Sequence, residues 1–273
     1  MQELSLKELQ HVSLDIMKEV HRFCVENKIR YSIAGGTLIG AIRHKGFIPW
    51  DDDVDLMMPR PDFERFCKTF RSDKLDFIYY GNDKTAIACF ARPVDTKRTI
   101  YKTERPWTIQ DSGVWIDIFP VDGVEESQEA FTKRYNKLCK WRDIAYKFRR
   151  QNHHISKGDS AWSIAKTYIA KVITLGGIIP AWIIGKMVKN ISQYDYDSSK
   201  NISQYSDLID GPIIYDKKDF EDFVLVDFED SQFYAVKGYD HLLRQIYGDY
   251  MQLPPEEDRQ PKQYWIHFYW RSK

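Results

Sequence analysis

Asp51, Asp52, Asp53 and Asp55 crowd four carboxylates into five positions of GGTLIGAIRHKGFIPWDDDVDLMMPR, which runs from Gly35 to Arg60. Two such charges about 5 Å apart repel by about 3 kcal/mol at an effective dielectric of about 20. A fold that gathers them must set something positive against them. A divalent cation is one answer, because magnesium takes a few carboxylates together with phosphate oxygens and water. A calcium loop fits poorly, since Leu56 stands where glycine is needed and Asp62 where glutamate is needed. In a strand, residues two apart share a face, so Asp53 and Asp55 point one way, with Asp51 beside them if the extension starts early. Val54 and Leu56 then point the other way, into a core.

The second half of the pattern precedes the acids. Gly35 and Gly36, followed by Thr37, let backbone amides approach an anion closely at the start of a helical turn. A glycine pair alone is weak evidence. With Arg43, His44 and Lys45 downstream, it reads as a phosphate cradle facing a metal site. A third carboxylate, Asp117, lies between the apolar residues Trp115, Ile116, Ile118 and Phe119, and burying it there demands a partner.

Several elements must position these groups. Ser5 and Glu8 form a capping box, with Leu4 and Leu9 as its staple, ahead of an amphipathic helix expected from about Leu6 to Glu26. Tyr31–Ala34 reads as a short buried strand, and TLIGAIRHKG as one or two helical turns that Gly46 stops. Val54–Met58 reads as the next strand, ended by Pro59 and Pro61, and DFERFCKTF as a helix. AIACFARPV and VWIDIFPVDG read as strands, the second closed by Pro120 and the Asp122–Gly123 turn. From Ser127 to Arg150 the pattern is helical and basic, and WRDIAYKFRRQNHH gathers positive charge suited to phosphate or anionic lipid if it is not simply a solvated face. Residues 161–189 carry a charge-free run, Val172–Gly185, too short to span a bilayer. Two readings stand there: a buried helical hairpin, or a face on a membrane with Trp162 and Trp182 at the interface and Lys166, Lys171 and Lys186 towards headgroups.

Composition sets the frame. The chain has 273 residues, 43% of them hydrophobic, and equal numbers of basic and acidic side chains. That neutrality removes the broad electrostatic case for binding nucleic acid. Cys24, Cys67, Cys89 and Cys139 form no CxxC pair, which fits a reducing compartment. MQELSLKELQ has neither the basic nor the apolar region of a signal peptide, so the expected location is cytoplasmic, at the inner face of the plasma membrane if residues 161–189 touch lipid.

GGTLIGAIRHKGFIPWDDDVDLMMPRPDFERF closely resembles the signature of the LicD family of phosphocholine transferases, whose relatives include fukutin and fukutin-related protein. WIDIFPVDG resembles its second block and YGDYMQLPPEEDR its C-terminal segment. The resemblance covers roughly residues 1–125 and 239–259. It implies an α+β, nucleotidyltransferase-like fold: a mixed β-sheet flanked by helices in residues 1–125, with a mainly helical elaboration and C-terminal segment in 126–273. It also implies a magnesium ion, or manganese in its place, held by Asp51, Asp53, Asp55 and Asp117, with Asp53, Asp55 and Asp117 as the catalytic set. Gly35, Gly36 and Thr37 would hold phosphate, assisted by Arg43, His44 and Lys45. The donor would be CDP-choline or another CDP-alcohol and the acceptor a lipid-linked glycan, with Trp50, Trp107 and Trp115 as candidates for the choline cation. The rivals are a metal-dependent glycosyltransferase, a membrane scaffold with a degenerate site, and an enzyme that makes the CDP-alcohol from CTP.

Overall fold

The computed structural model describes residues 1–82, 89–103, 112–147, 160–173, 178–204, 211–261 and 266–272. Helix α1 spans Leu6–Glu26, as the periodicity predicts, and its capping box is formed: the Ser5 amide donates to Glu8 Oε2 at 2.8 Å, and Ser5 Oγ accepts from the Glu8 amide at 3.3 Å. Val12, Ile16, Val20 and Cys24 recur every fourth position and are fully buried. That stripe packs in the main core, which also takes in Leu38, Leu56, Phe63, Ile116 and Ile118.

Strand β1 (Ser32–Ile33) leads directly into α2 (Gly35–His44), then β2 (Asp55–Pro59) and α3 (Arg60–Thr69). Pro61 in the first turn of α3 costs nothing, because an amide there has no intrahelical acceptor. Short strands β3 (Asp76–Ile78), β4 (Arg92–Asp95), β5 (Thr99–Thr103) and β6 (Val114–Trp115) precede β7 (Asp117–Gly123). Helices α4 (Gln128–Lys147), α5 (Ala161–Ile173) and α6 (Ile178–Ile191) follow, then β8 (Asn201–Ser203) and β9 (Tyr215–Asp216). The hairpin β10 (Phe223–Phe228) and β11 (Ser231–Val236), α7 (Tyr239–Tyr247) and β12 (Ile266–Trp270) complete the order.

The central sheet runs β1-β2-β7-β8-β9 and is mixed: β2 and β7 are parallel and the other neighbours antiparallel. This is the expected α+β architecture of a mixed sheet flanked by helices. Helices dominate residues 126–191, and β8 and β9 extend the same sheet from the second half of the chain. The β10–β11 hairpin is pinned beside β1, where Ser32 Oγ accepts from the Val236 amide at 2.9 Å.

Pro120 does not close its strand. It lies inside β7, opposite Met58. The Asp117 amide donates towards β2, to Val54 O, whereas the Ile118 amide donates the other way, to Ala91 O. By alternation the nitrogen of Pro120 also faces away from β2, the side on which β8 pairs with Asp122 and Gly123. Its missing N–H therefore removes no bond of the β2–β7 ladder. Part of AIACFARPV, the end of WRDIAYKFRRQNHH and Trp107 lie outside the described residues.

Candidate active site

The glycine pair does not precede the helix; it begins it. Gly35 and Gly36 occupy the first two positions of α2, and Ala34 before them supplies no side-chain cap. The amides of this end point out of the helix without intrahelical acceptors and carry the positive end of its dipole. Gly35 has a φ of 52°, a left-handed conformation that side chains resist. The glycines also make room. A Cβ on Gly36 would sit 2.7 Å from Asp51 Oδ2, and one on Gly35 would sit 3.2 Å from Asp55 Oδ2.

The intervening loop explains how the acids reach that end. Lys45 closes α2 with a φ of 60°, and the chain then runs back alongside the helix. Gly46 lies against Gly40, and Asp51 lies against Gly36. Gln10 of α1 holds the loop, donating to the carbonyl of Asp51 at 2.9 Å. Thr37 Oγ1 accepts from the Asp55 amide at 3.0 Å, which fixes the start of β2. Buried Val54 and Leu56 alternate with half-buried Asp53 and Asp55, as expected, although the strand proper begins only at Asp55. The helix N-terminus is thus one positive partner of the acidic run.

Asp51, Asp52 and Asp53 each offer a carboxylate oxygen, and these atoms lie within 4.8 Å of one another. An all-oxygen anionic set suits magnesium or manganese and disfavours soft metals. Asp55 and Asp117 are register partners on the parallel strands β2 and β7, so the third carboxylate does sit next to the acidic run. The partner that its burial demanded is Arg92 of β4, whose Nε donates to Asp117 Oδ1 at 2.5 Å. Oδ2, 3.4 Å from Arg92 Nη2, is the oxygen less engaged by that guanidinium. Arg92 is itself clamped between the rings of Phe90 and Trp115, at 5.0 and 4.8 Å from their centroids.

The basic trio of the first motif is placed differently from the phosphate cradle expected of it. Arg43 and His44 are in the last turn of α2, about 12 Å along the axis from Gly35. Arg43 Nη1 donates to the carbonyls of Tyr250 and Gln252 at 2.6 and 3.1 Å. His44 Nδ1 accepts from Arg43 Nε at 3.3 Å, and burial together with the Arg43 charge pushes its pKa down. His44 also meets the ring of Trp50 edge-on, 6.4 Å between centroids. Arg43 instead ties YGDYMQLPPEEDR to the first motif. Arg259 of that segment lies over the ring of Trp50, 5.8 Å from its centroid. Trp115 meets Tyr101 and Phe268 edge-on at 5.5 and 5.4 Å.

Beside Gly35 and Asp55 opens a cavity of about 70 Å³, lined by Phe119, Tyr215, Leu242 and Tyr247 among others, but by neither Trp50 nor Trp115. Sequence reading missed Asp52, Gln10, Arg92 and this aromatic wall. Asp52 was legible as the middle of the acidic run. The others are joined to it only through space.

Gly36→Ala separates packing from function. The group a new Cβ would meet is the carboxylate tip of the Asp51 side chain and no backbone atom, so a rotation of that side chain makes room while alanine favours the helix. Thermal stability should be held or slightly raised, while turnover falls by about tenfold to a hundredfold as Asp51 leaves its place. A variant with wild-type turnover would show that this contact is incidental.

Comparison with known proteins bears on the same residues. The family described as LicD/FKTN/FKRP, nucleotidyltransferase domain, matches residues 28–156. A lipopolysaccharide cholinephosphotransferase, LicD, from Haemophilus influenzae is 33% identical over 270 residues, covering 96% of this chain and 97% of that protein. An uncharacterised protein of Rickettsia typhi is 30% identical over 120 residues, 44% of this chain and 37% of its own length. An uncharacterised protein of Rickettsia prowazekii is 47% identical over 47 residues, 17% of this chain and 18% of its own.

Proposed function

Because the chain belongs to the LicD family, we propose that it transfers phosphocholine from CDP-choline to a hydroxyl of a cell-surface glycan, releasing CMP. The acceptor class is a lipopolysaccharide precursor, in keeping with the name of the Haemophilus influenzae relative; teichoic acid and capsule are the other glycans with such hydroxyls. One observation carries the reading above the others. Segments far apart in sequence meet there: Gly35–Asp55 and Trp115–Gly123 come together around one helix N-terminus and one acidic run, and Tyr247 reaches the same end while Tyr250 and Gln252 anchor its segment to Arg43 at the other.

In this reading the acceptor oxygen attacks the phosphorus that bears choline, and the bond from that phosphorus to the CMP oxygen breaks. The proton of the attacking hydroxyl passes to Asp117 Oδ2, with Arg92 holding the carboxylate in orientation. The amides of Gly35, Gly36 and Thr37 face the donor's phosphates at the positive end of α2. Asp51, Asp52 and Asp53 would hold a magnesium ion, with Asp55 close by at the start of β2, and the ion would supply charge neutralisation for the diphosphate. The remaining demand is alignment of two anionic partners, which rigid positioning meets. The cavity walled by Phe119, Tyr215 and Tyr247 seats the trimethylammonium, whose charge is attracted to aromatic faces and to nearby Asp55.

The test is CMP release from a panel of CDP-choline, CDP-ribitol, CDP-glycerol and nucleotide sugars, with magnesium and a glycan acceptor. CDP-choline should be the best donor, and Phe119→Ala should raise its KM by about tenfold with a smaller change in kcat. Preference for CDP-ribitol or CDP-glycerol would overturn the choline assignment, and release of UDP from a nucleotide sugar would overturn the reaction class. Pyrophosphate formed from CTP would make the protein a donor synthase instead.

A further inference from the structure

The second half of the chain exposes apolar surface that the chemistry above does not use. On α5, Trp162, Tyr168, Ile169, Val172 and Ile173 are exposed, Trp162 at 65% and Val172 at 73%. At 100° per residue these five fall in a single stripe about 140° wide. Lys166 and Lys171 border it, one on each side. On α6 the inward face is satisfied: Ile184, Met187, Val188 and Ile191 pack against Phe131, Tyr135 and Leu138 of α4. Its outward face carries Ile178 and Trp182, the latter 62% exposed, with Lys186 and Lys189 on the same side. The expectation of a simple buried hairpin therefore holds for the inward faces alone, that of α6 and the side of α5 that carries buried Thr167.

Charge selects the occupant. Within α5 and α6 there are four lysines and no acidic residue, in a chain whose total charge is zero. Three of those ammonium groups stand beside exposed rings: Lys166 is 5.1 Å from the Trp162 centroid, Lys171 6.0 Å from Tyr168 and Lys186 5.4 Å from Trp182. Apolar side chains, rim aromatics and flanking cations are the composition of a helix lying in an anionic headgroup layer. Among the described residues no single helix is long and apolar enough to cross a membrane. With 13 and 14 residues, α5 and α6 reach about 20 Å each, short of the about 30 Å hydrocarbon core.

We propose that the exposed faces of α5 and α6 dock the protein on the surface of a bilayer rich in anionic phospholipid. This proposal is independent of the phosphocholine reading, because its readout is lipid partitioning without turnover. The full chain should cosediment with phosphatidylglycerol-containing vesicles, bind pure phosphatidylcholine vesicles much less, and come off in alkaline carbonate. Trp182→Ser combined with Lys186→Glu should lower the partition coefficient by about tenfold or more. Lys166→Glu with Lys171→Glu, neither of them a buried position, should do the same and lose the preference for anionic lipid. Absence of wild-type binding, unchanged binding in both variants, or equal binding to neutral vesicles would overturn the proposal. So would retention through carbonate, or an oligomer that the same substitutions dissolve while vesicle binding is absent.

Discussion

Asp53→Asn should reduce phosphocholine transfer by about a thousandfold or more while leaving the fold in place. Asp51, Asp52 and Asp53 bring three oxygens within 4.8 Å, and in the proposed mechanism removing one anion would weaken the hold on the cation that neutralises the donor's diphosphate. Several kcal/mol of charge stabilisation are involved, and each 1.36 kcal/mol is tenfold in rate. The same substitution relieves repulsion among neighbouring acids. Without metal, the variant should therefore melt no lower than the wild type. Added magnesium should raise the melting temperature of the wild type by ligand linkage and leave the variant nearly unmoved, and a chelator should reverse the shift. Wild-type turnover in the variant would remove Asp53 from the mechanism. A magnesium-induced shift that persists in the variant would move the ion elsewhere.

The largest stability effect is expected from a pair outside the chemistry. Arg60 at the start of α3 forks onto Asp122 of β7, with Nε to Oδ1 at 2.6 Å and Nη2 to Oδ2 at 2.7 Å. Both side chains are buried, and Asp122 is wholly so. Burial works against the charged guanidinium, yet the charge and hydrogen bonds of Asp122 outweigh it and push the Arg60 pKa up. Asp122→Ala strands that cation in the interior, at a cost of about 3–5 kcal/mol. At about 2–4 °C per kcal/mol in a chain of this size, the melting temperature should fall by about 10 °C. Replacing both residues with apolar side chains of similar volume should recover most of the loss, because the penalty comes from the unpaired charge. A single variant melting within a degree or two of the wild type would refute this account. Since β7 carries Asp117 as well, activity should fail at the lower temperature along with the fold.

Local features were legible along the chain. The capping box and four-residue spacing fixed α1 to its ends, the alternation around Val54 and Leu56 fixed which way the acids face, and the acidic run marked the chemistry. These follow from periodicity, capping and like-charge repulsion, all of which act within a few residues. The tertiary structure decided which partners answer them. It placed Arg92 on Asp117 across 25 residues, brought Tyr250 and Gln252 to Arg43 across more than 200, and set Asp51 against Gly36 by turning the loop back along α2. It also kept Pro120 inside a strand, because its nitrogen faces away from β2 and the β2–β7 ladder needs no donor from it. Contacts between distant segments depend on how layers pack, and nothing in the spacing of residues along the chain encodes that distance.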